Sequence, residues 1–346
     1  LAGYLGEAGQ RIEVALAMSL AGARGETADE MRAVSRLPAG GEAFHDGVAT
    51  WQRSLLPSVG DSLVTLTVAN RLWGQEGIDF GQPFLELTRV HYGAALGRVD
   101  FAGDPTGAAR TINDWVAQQT HDRITDLVPP GALGPATRLV LANAIYFLGT
   151  WAETFPRRAT REEPFATARG GVVPAPMMKQ VGSFPYAETS AAQVLELSYE
   201  TDGSPELSLV VILPRAHDGL AALTAALEAD TLATWLGRLS PREVDVRLPR
   251  FETSSTLSLA DALARLGMPL AFSDFADFSG MLPAGARERL ALSDVLHKGW
   301  VKVDEEGTEA AAATGMVYGI TSVMEAPDAV VFNADHPFLF LIRERS

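Results

Sequence analysis

The chain has 346 residues, 47% of them apolar, and a formal net charge of −15. That length and apolar fraction suffice for a large buried core. The acidic surplus speaks against a nucleic-acid partner, no apolar run is long enough to cross a bilayer as a helix, and the absence of cysteine excludes disulfides, thiolate catalysis and cysteine-ligated metals.

Glu13 to Val34 carries helical periodicity, interrupted at Gly22 to Gly25, where Ala23-Arg24-Gly25-Glu26-Thr27 reads as a turn capping a second helix. Leu63 to Leu72, with Thr65 and Thr67 interleaved, reads as a strand. Pro83 to Tyr92 and Thr111 to Leu127 read as amphipathic helices, the second with Ile112, Trp115, Val116, Ile124 and Leu127 on one face and Pro129-Pro130-Gly131 ending it. Thr137 to Phe147 is almost continuously apolar and predicts a strand buried on both faces, with Asn143 as its one strongly polar member. Further strands are expected at Gln193 to Leu197, Leu207 to Leu213, Val244 to Leu248 and Phe338 to Ile342, and a helix at Leu257 to Leu266. No linker divides the chain, so residues 1–346 read as one domain.

Ordinary catalytic motifs are absent. His45-Asp46, His121-Asp122 and His217-Asp218 are adjacent pairs without the three- or four-residue histidine spacing that aims two imidazoles at one ion, so they read as solvated surface pairs and no metal or other cofactor is expected. No nucleophile elbow, phosphate-cradling loop or dinucleotide fingerprint is present, and the chain does not read as an enzyme.

The unusual segment is Glu305-Glu306-Gly307-Thr308-Glu309-Ala310-Ala311-Ala312-Ala313-Thr314-Gly315. Alanine favours helix and Thr308 could cap one from Glu309 to Thr314, but a helix that short is marginal in water. Read as a strand, Thr308, Ala310, Ala312 and Thr314 share one face and are small enough to slide between existing strands.

Together with this hinge, Asn143-Ala144-Ile145-Tyr146-Phe147-Leu148-Gly149-Thr150-Trp151 and Phe332-Asn333-Ala334-Asp335-His336-Pro337-Phe338-Leu339-Phe340-Leu341-Ile342 resemble segments of the serpin family. Met177-Met178-Lys179-Gln180, Leu248-Pro249-Arg250-Phe251, and Leu266-Gly267-Met268 with Asp277-Phe278-Ser279-Gly280 fit it in the same order. The resemblance, to the inhibitory and prokaryotic-like type, runs from about Ala15 through nearly the whole chain.

It implies an α+β fold of three β-sheets with about eight or nine helices, and an exposed reactive-centre loop over about residues 305–327. It implies a monomeric suicide inhibitor of a serine protease: the protease attacks the loop, forms an acyl-enzyme, and is trapped as the loop enters the central sheet. About a dozen inserted residues, each gaining roughly 0.5–1.5 kcal/mol of net hydrogen bonding, supply on the order of 10 kcal/mol.

By the family's counting Glu305 is seventeenth before the cut, which falls between Thr321 and Ser322. Glu305, Glu306, Gly307, Thr308, Ala310, Ala312 and Thr314 form the hinge, Asn143 and His297 the polar pair fastening the middle of the sheet, and Trp151 the place where the loop enters. No basic residue stands at the bond, so elastase-like or subtilisin-like targets are expected, and Tyr318 keeps chymotrypsin-like enzymes open. The alternative is a non-inhibitory serpin that carries, chaperones or stores. The resemblance points to an extracellular location, with a cytoplasmic one left open because Leu1 to Gly9 shows no secretory signal. The family's first helix is largely absent before Gly9-Gln10-Arg11-Ile12-Glu13, and its last buried strand would follow Ser346, so a truncated chain is expected.

Overall fold

The computed structural model of the protein describes residues 7–35, 37, 41–54, 64–93, 96–201, 206–308 and 329–345. Helix α1 (Glu7–Leu20) is buried on every side from Val14 to Leu20, which is why it carries no polar stripe there. Helix α2 (Gly25–Ser35) buries Thr27, Ala28, Met31 and Ser35 and leaves Glu26 and Asp29 in solvent, while Glu30 accepts from Leu270 N. Helices α3 (Glu42–Ser54) and α4 (Gln82–Tyr92) follow, α4 opening on Pro83 and closing on Gly93 at φ 63°.

Helix α5 (Pro105–Gln119) begins earlier and ends earlier than its apolar pattern predicts. Asp104 caps it through Gly107 N at 2.8 Å, and Pro105 supplies the first turn. At the other end the Thr120 hydroxyl donates to Val116 O and accepts from Ile124 N, while His121 and Asp122 take left-handed backbone. Ile124 and Leu127 are fully buried, but they pack from irregular chain. The apolar pattern marks core here without continuous helix.

One sheet contains β1 (Val64–Gln75), β2 (Gly97–Val99), β3 (Leu139–Thr150), β9 (Phe251–Ser258), β10 (Leu292–Val303) and β11 (Gly307–Thr308), in the order β2-β1-β3-β11-β10-β9. Leu257, expected at the start of a helix, belongs to β9; helix α8 (Ala260–Leu266) starts after it. β4 (Arg161–Ala166), β5 (Val172–Glu188), β6 (Ala192–Ser198), β7 (Leu207–Pro214), β8 (Ser240–Pro249), β12 (Val330–Asn333) and β13 (Leu339–Glu344) form the rest of the β-structure. Their path is β12-β8-β5-β6-β7-β13 with β4 on β5, so the two smaller sheets expected from the sequence run together through the long strands β5 and β8. Helices α6 (Leu220–Ala226) and α7 (Ala229–Leu236) cover the outer side of β7 and β13, completing eight α-helices among the described residues.

β3 shows how the layers meet. Its even-numbered residues Val140, Ala142, Ala144 and Tyr146 pack against Ile112 and Val116 of α5. On its other face Leu139 and Leu141 join the core around α1 and α2, whereas Ile145 and Phe147 join the core against β6, β7 and β8. Asn143 lies between those two cores along the strand.

Candidate functional site

β3 and β10 pair in parallel from Leu139 opposite Leu292 to Tyr146 opposite Trp300. Beyond that point the ladder opens and two residues of another segment enter it: Gly307 pairs with Thr150, and Thr308 with both Gly149 and Val303. Both pairings are antiparallel. Gly307 is required by closeness, because a Cβ there would lie 2.0 Å from Gly149 O and 2.8 Å from Thr150 Cα.

The turn before this insertion is fixed by several groups. Asp304 N donates to Gly307 O at 2.8 Å, and its carboxylate accepts from Glu306 N at 3.0 Å. Trp151 Nε1 donates to Asp304 O at 2.9 Å, while the backbone N–H groups of Trp151 and Phe155 donate to Glu306 O and Glu305 O. Glu305, 4% exposed, accepts from Thr160 Oγ1 at 2.8 Å and lies 3.8 Å from Arg250 Nη1; Glu306 pairs with Arg157. A buried carboxylate needs such partners.

Thr308 is fully buried, and its hydroxyl lies 2.7 Å from that of Tyr199. Tyr199 stacks on Trp151 with ring centroids 4.7 Å apart, and burial pushes its phenol well above the ordinary range. The strand tip is therefore seated in a shaped pocket.

Lower in the same sheet, Asn70, Asn143 and His297 occupy one row, with Asn143 directly opposite both of the others. Asn143 Nδ2 donates to Asn70 Oδ1 at 2.5 Å, and His297 Nδ1 donates to Asn143 Oδ1 at 2.5 Å. Burial lowers the His297 pKa to about 4, so at neutral pH it is an uncharged member of a polar row among apolar strands. Three adjacent strands each contribute one polar group, and the row closes β3 onto β10.

The family model described as serpin (serine protease inhibitor) matches residues 10–346. The chain belongs to the serpin family. This serpin is 39% identical to an uncharacterized serpin-like protein of Thermococcus kodakarensis over 96% of its own length and 76% of the relative's. It is 40% identical to the leukocyte elastase inhibitor of Bos taurus, covering 96% of this chain and 87% of the relative. Its fold superposes on Serpin48 of the insect Tenebrio molitor with a TM-score of 0.84 at 32% identity, covering 97% of this chain and 86% of the other. Serpins are generally protease inhibitors and not enzymes, and the chain is placed with them.

Of the serpin residues singled out in the sequence, the structure gathers Glu305, Glu306, Gly307 and Thr308 around Trp151 at one end of the sheet and joins Asn143 to His297 in its middle. Ala310, Ala312, Thr314, Thr321 and Ser322 lie outside the described residues. Thr160, which follows the serpin-like segment ending at Trp151, meets Glu305, whereas sequence reading missed Tyr199, Asp304 and Asn70, which stand in no local pattern that marks them. It also misread one histidine pair. His45 is buried and lies 2.6 Å from Tyr92 Oη, with His91 beside it, and burial followed by the His91 charge lowers its pKa.

Proposed function

We propose that this serpin inhibits a serine protease by serving as its substrate and then trapping the acyl-enzyme. The observation that carries the reading is the seat of Gly307 and Thr308 between β3 and β10, above a ladder that is still closed. Continued in the same register, Glu309 would meet Leu148 and Tyr318 would meet Leu139, so ten further residues fit the length of β3. Thr308, Ala310, Ala312 and Thr314 would form the row facing the second sheet, and Thr314 would arrive opposite Asn143.

The protease serine attacks the Thr321 carbonyl, the Thr321–Ser322 bond breaks, and the Ser322 amine leaves with a proton from the protease's histidine. Thr321 remains joined to the protease as an ester. The cut frees the chain from β12, its anchor on the far side, and the segment after Thr308 can zip between β3 and β10. One ladder opens and two form. The ester then travels with the inserted strand, and its distorted site hydrolyses slowly.

The absence of a basic residue at the counted bond favours elastase-like or subtilisin-like targets, and the likeness to an elastase inhibitor accords with the first. The chain acts as a single domain and a monomer in this reading. Incubation with elastase-like, subtilisin-like and chymotrypsin-like proteases, followed by a denaturing gel, tests it. A band at the summed mass that survives denaturation is expected with at least one; clean cleavage by all three without such a band would overturn it in favour of a non-inhibitory role.

A further inference from the structure

β7 ends at Pro214 and β13 begins at Leu339, and because Ile212 pairs with Leu339 the turn leaving one strand lies beside the loop leading into the other. In that corner His217, Asp335 and His336 each offer a ligand atom, all within 4.8 Å of one another.

The corner is built in more than one shell. His336 is 5% exposed, with Nε2 2.8 Å from Pro214 O and Nδ1 2.7 Å from Asp335 Oδ1. A carbonyl has no hydrogen to give, so Nε2 donates there and Nδ1 is the nitrogen presented to the carboxylate. Asn333 Nδ2 donates to Asp335 Oδ2 at 2.9 Å and turns Oδ1 toward the ring. The backbone is held too: Ala166 N donates to Asp335 O and Ala334 N to Arg247 O. The exposed ring of His217 stacks on His336, centroids 4.4 Å apart and planes 21° from parallel.

Two imidazoles and a carboxylate, with a carbonyl behind one imidazole and an amide behind the carboxylate, make the donor set of a three-ligand zinc centre with one position left for water. A hydrogen-bonded aspartate–histidine pair alone would account for Asp335 and His336. It gives no reason for a second imidazole laid over the first. We propose that His217, Asp335 and His336 bind a divalent transition metal of the zinc type. Ligand bonds of about 2.0–2.1 Å require the His217 donor to approach the other two more closely than it does at rest. The exposed His217 side chain supplies most of that movement by rotating, and Nδ1 and Oδ1 of the buried pair part slightly to admit the ion. Nitrogen donors in two of three places disfavour magnesium and calcium, which prefer oxygen.

Such an ion would clamp the exit of β7 to the start of β13. No sequence motif signals it, because its ligands stand at position 217 and at positions 335 and 336 and meet only through the β7–β13 pairing. The reading of His217-Asp218 as a solvated pair holds for its exposure and misses its neighbour.

Titration of the full chain with zinc chloride in a calorimeter tests the site. One ion per chain is expected, with affinity about ten-fold or more weaker in His217→Ala and in Asp335→Asn. His91→Ala, in the unrelated histidine cluster near Tyr92, leaves binding unchanged. Cobalt(II) gives the strong visible band of four-coordinate geometry in the unsubstituted protein and loses it in His217→Ala. His217 is exposed, so that variant should keep the metal-free melting temperature; zinc raises the melting temperature of the parent only, and magnesium raises neither. Absence of saturable binding, or equal zinc affinity and cobalt spectra in the parent and His217→Ala, would overturn the proposal.

Discussion

Burial in the Asn70–Asn143–His297 row holds the His297 imidazole at about 4, against an ordinary value of 6.5. The folded state therefore resists a proton that the unfolded chain accepts. Stability from this group is present above pH 6.5 and is lost as the pH falls from 6.5 towards about 4. The loss is on the order of 3 kcal/mol. Urea unfolding at pH 7 and pH 4.5 should show it in the parent, and His297→Gln should shrink the difference and leave the part that the buried His45 contributes; equal pH dependence in both would place the titration elsewhere. The buried hydroxyl pair Thr308–Tyr199, 2.7 Å apart, gives a second residue-scale test. Tyr199→Phe and Thr308→Val should each cost about 1–3 kcal/mol by stranding a buried hydroxyl, and the double variant should cost clearly less than their sum. Strict additivity in that unfolding cycle would deny the bond. At this scale legibility depended on local contrast. Asn143 stood out as the lone polar residue of an apolar run, whereas His297 drew notice only through the family resemblance. Asn70 and Tyr199 acquire their partners from register between strands distant in sequence, which no local pattern records.

The pairing of β11 sets what the hinge can accept. Thr308 already occupies a fully buried place against Gly149 and Tyr199, where added volume has nowhere to go. Thr308→Arg would bring a charge into that pocket and either expel β11 or stop the strand behind it from advancing. In the proposed mechanism trapping competes with hydrolysis of the acyl bond, so slower insertion should turn inhibition into substrate behaviour. The measurement is the number of inhibitor molecules consumed per protease inactivated: that ratio should rise about ten-fold or more, a shift of roughly 1.4 kcal/mol or more in the competing barriers, and an undiminished yield of denaturation-resistant complex would refute the route. The elements themselves were unevenly legible. β3, β6 and β7 follow from apolar runs, since strands buried on both faces write themselves as nearly continuous hydrophobic sequence, and β8 from the alternation of Val244, Val246 and Leu248 with Asp245 and Arg247. β10 was missed although it is the parallel partner of β3, because His297, Lys298 and Gly299 interrupt its pattern; Lys298 is tolerated through its ion pair with Asp126 at 2.8 Å. β5 was missed because its prolines and its exposed first half resemble loop.

The proposed mechanism gives the whole molecule two closed arrangements of the same strands. In the observed one β3 and β10 pair directly below Thr308, and their ladder is parallel. In the other a central strand would run antiparallel to both, which exchanges one parallel ladder for two antiparallel ones and buries a row of alanine and threonine methyls. The Asn143–His297 bond must open on the way, and Thr314 brings a hydroxyl to the same row as it does. The barrier thus lies in the middle of the sheet while the gain accrues along its length. A chain held at both Thr308 and β12 keeps the first arrangement, and a cut between them removes the restraint. Loop cleavage should therefore raise the melting temperature, by about 10 °C or more if ten residues each gain a net hydrogen bond. Calorimetry before and after limited proteolysis within 309–328 measures this directly. Cleaved Thr308→Arg should gain much less than the cleaved parent, because its strand is blocked at the first buried position. If the cleaved parent melts where the intact protein does, no strand has entered and the trapping mechanism has no source of work.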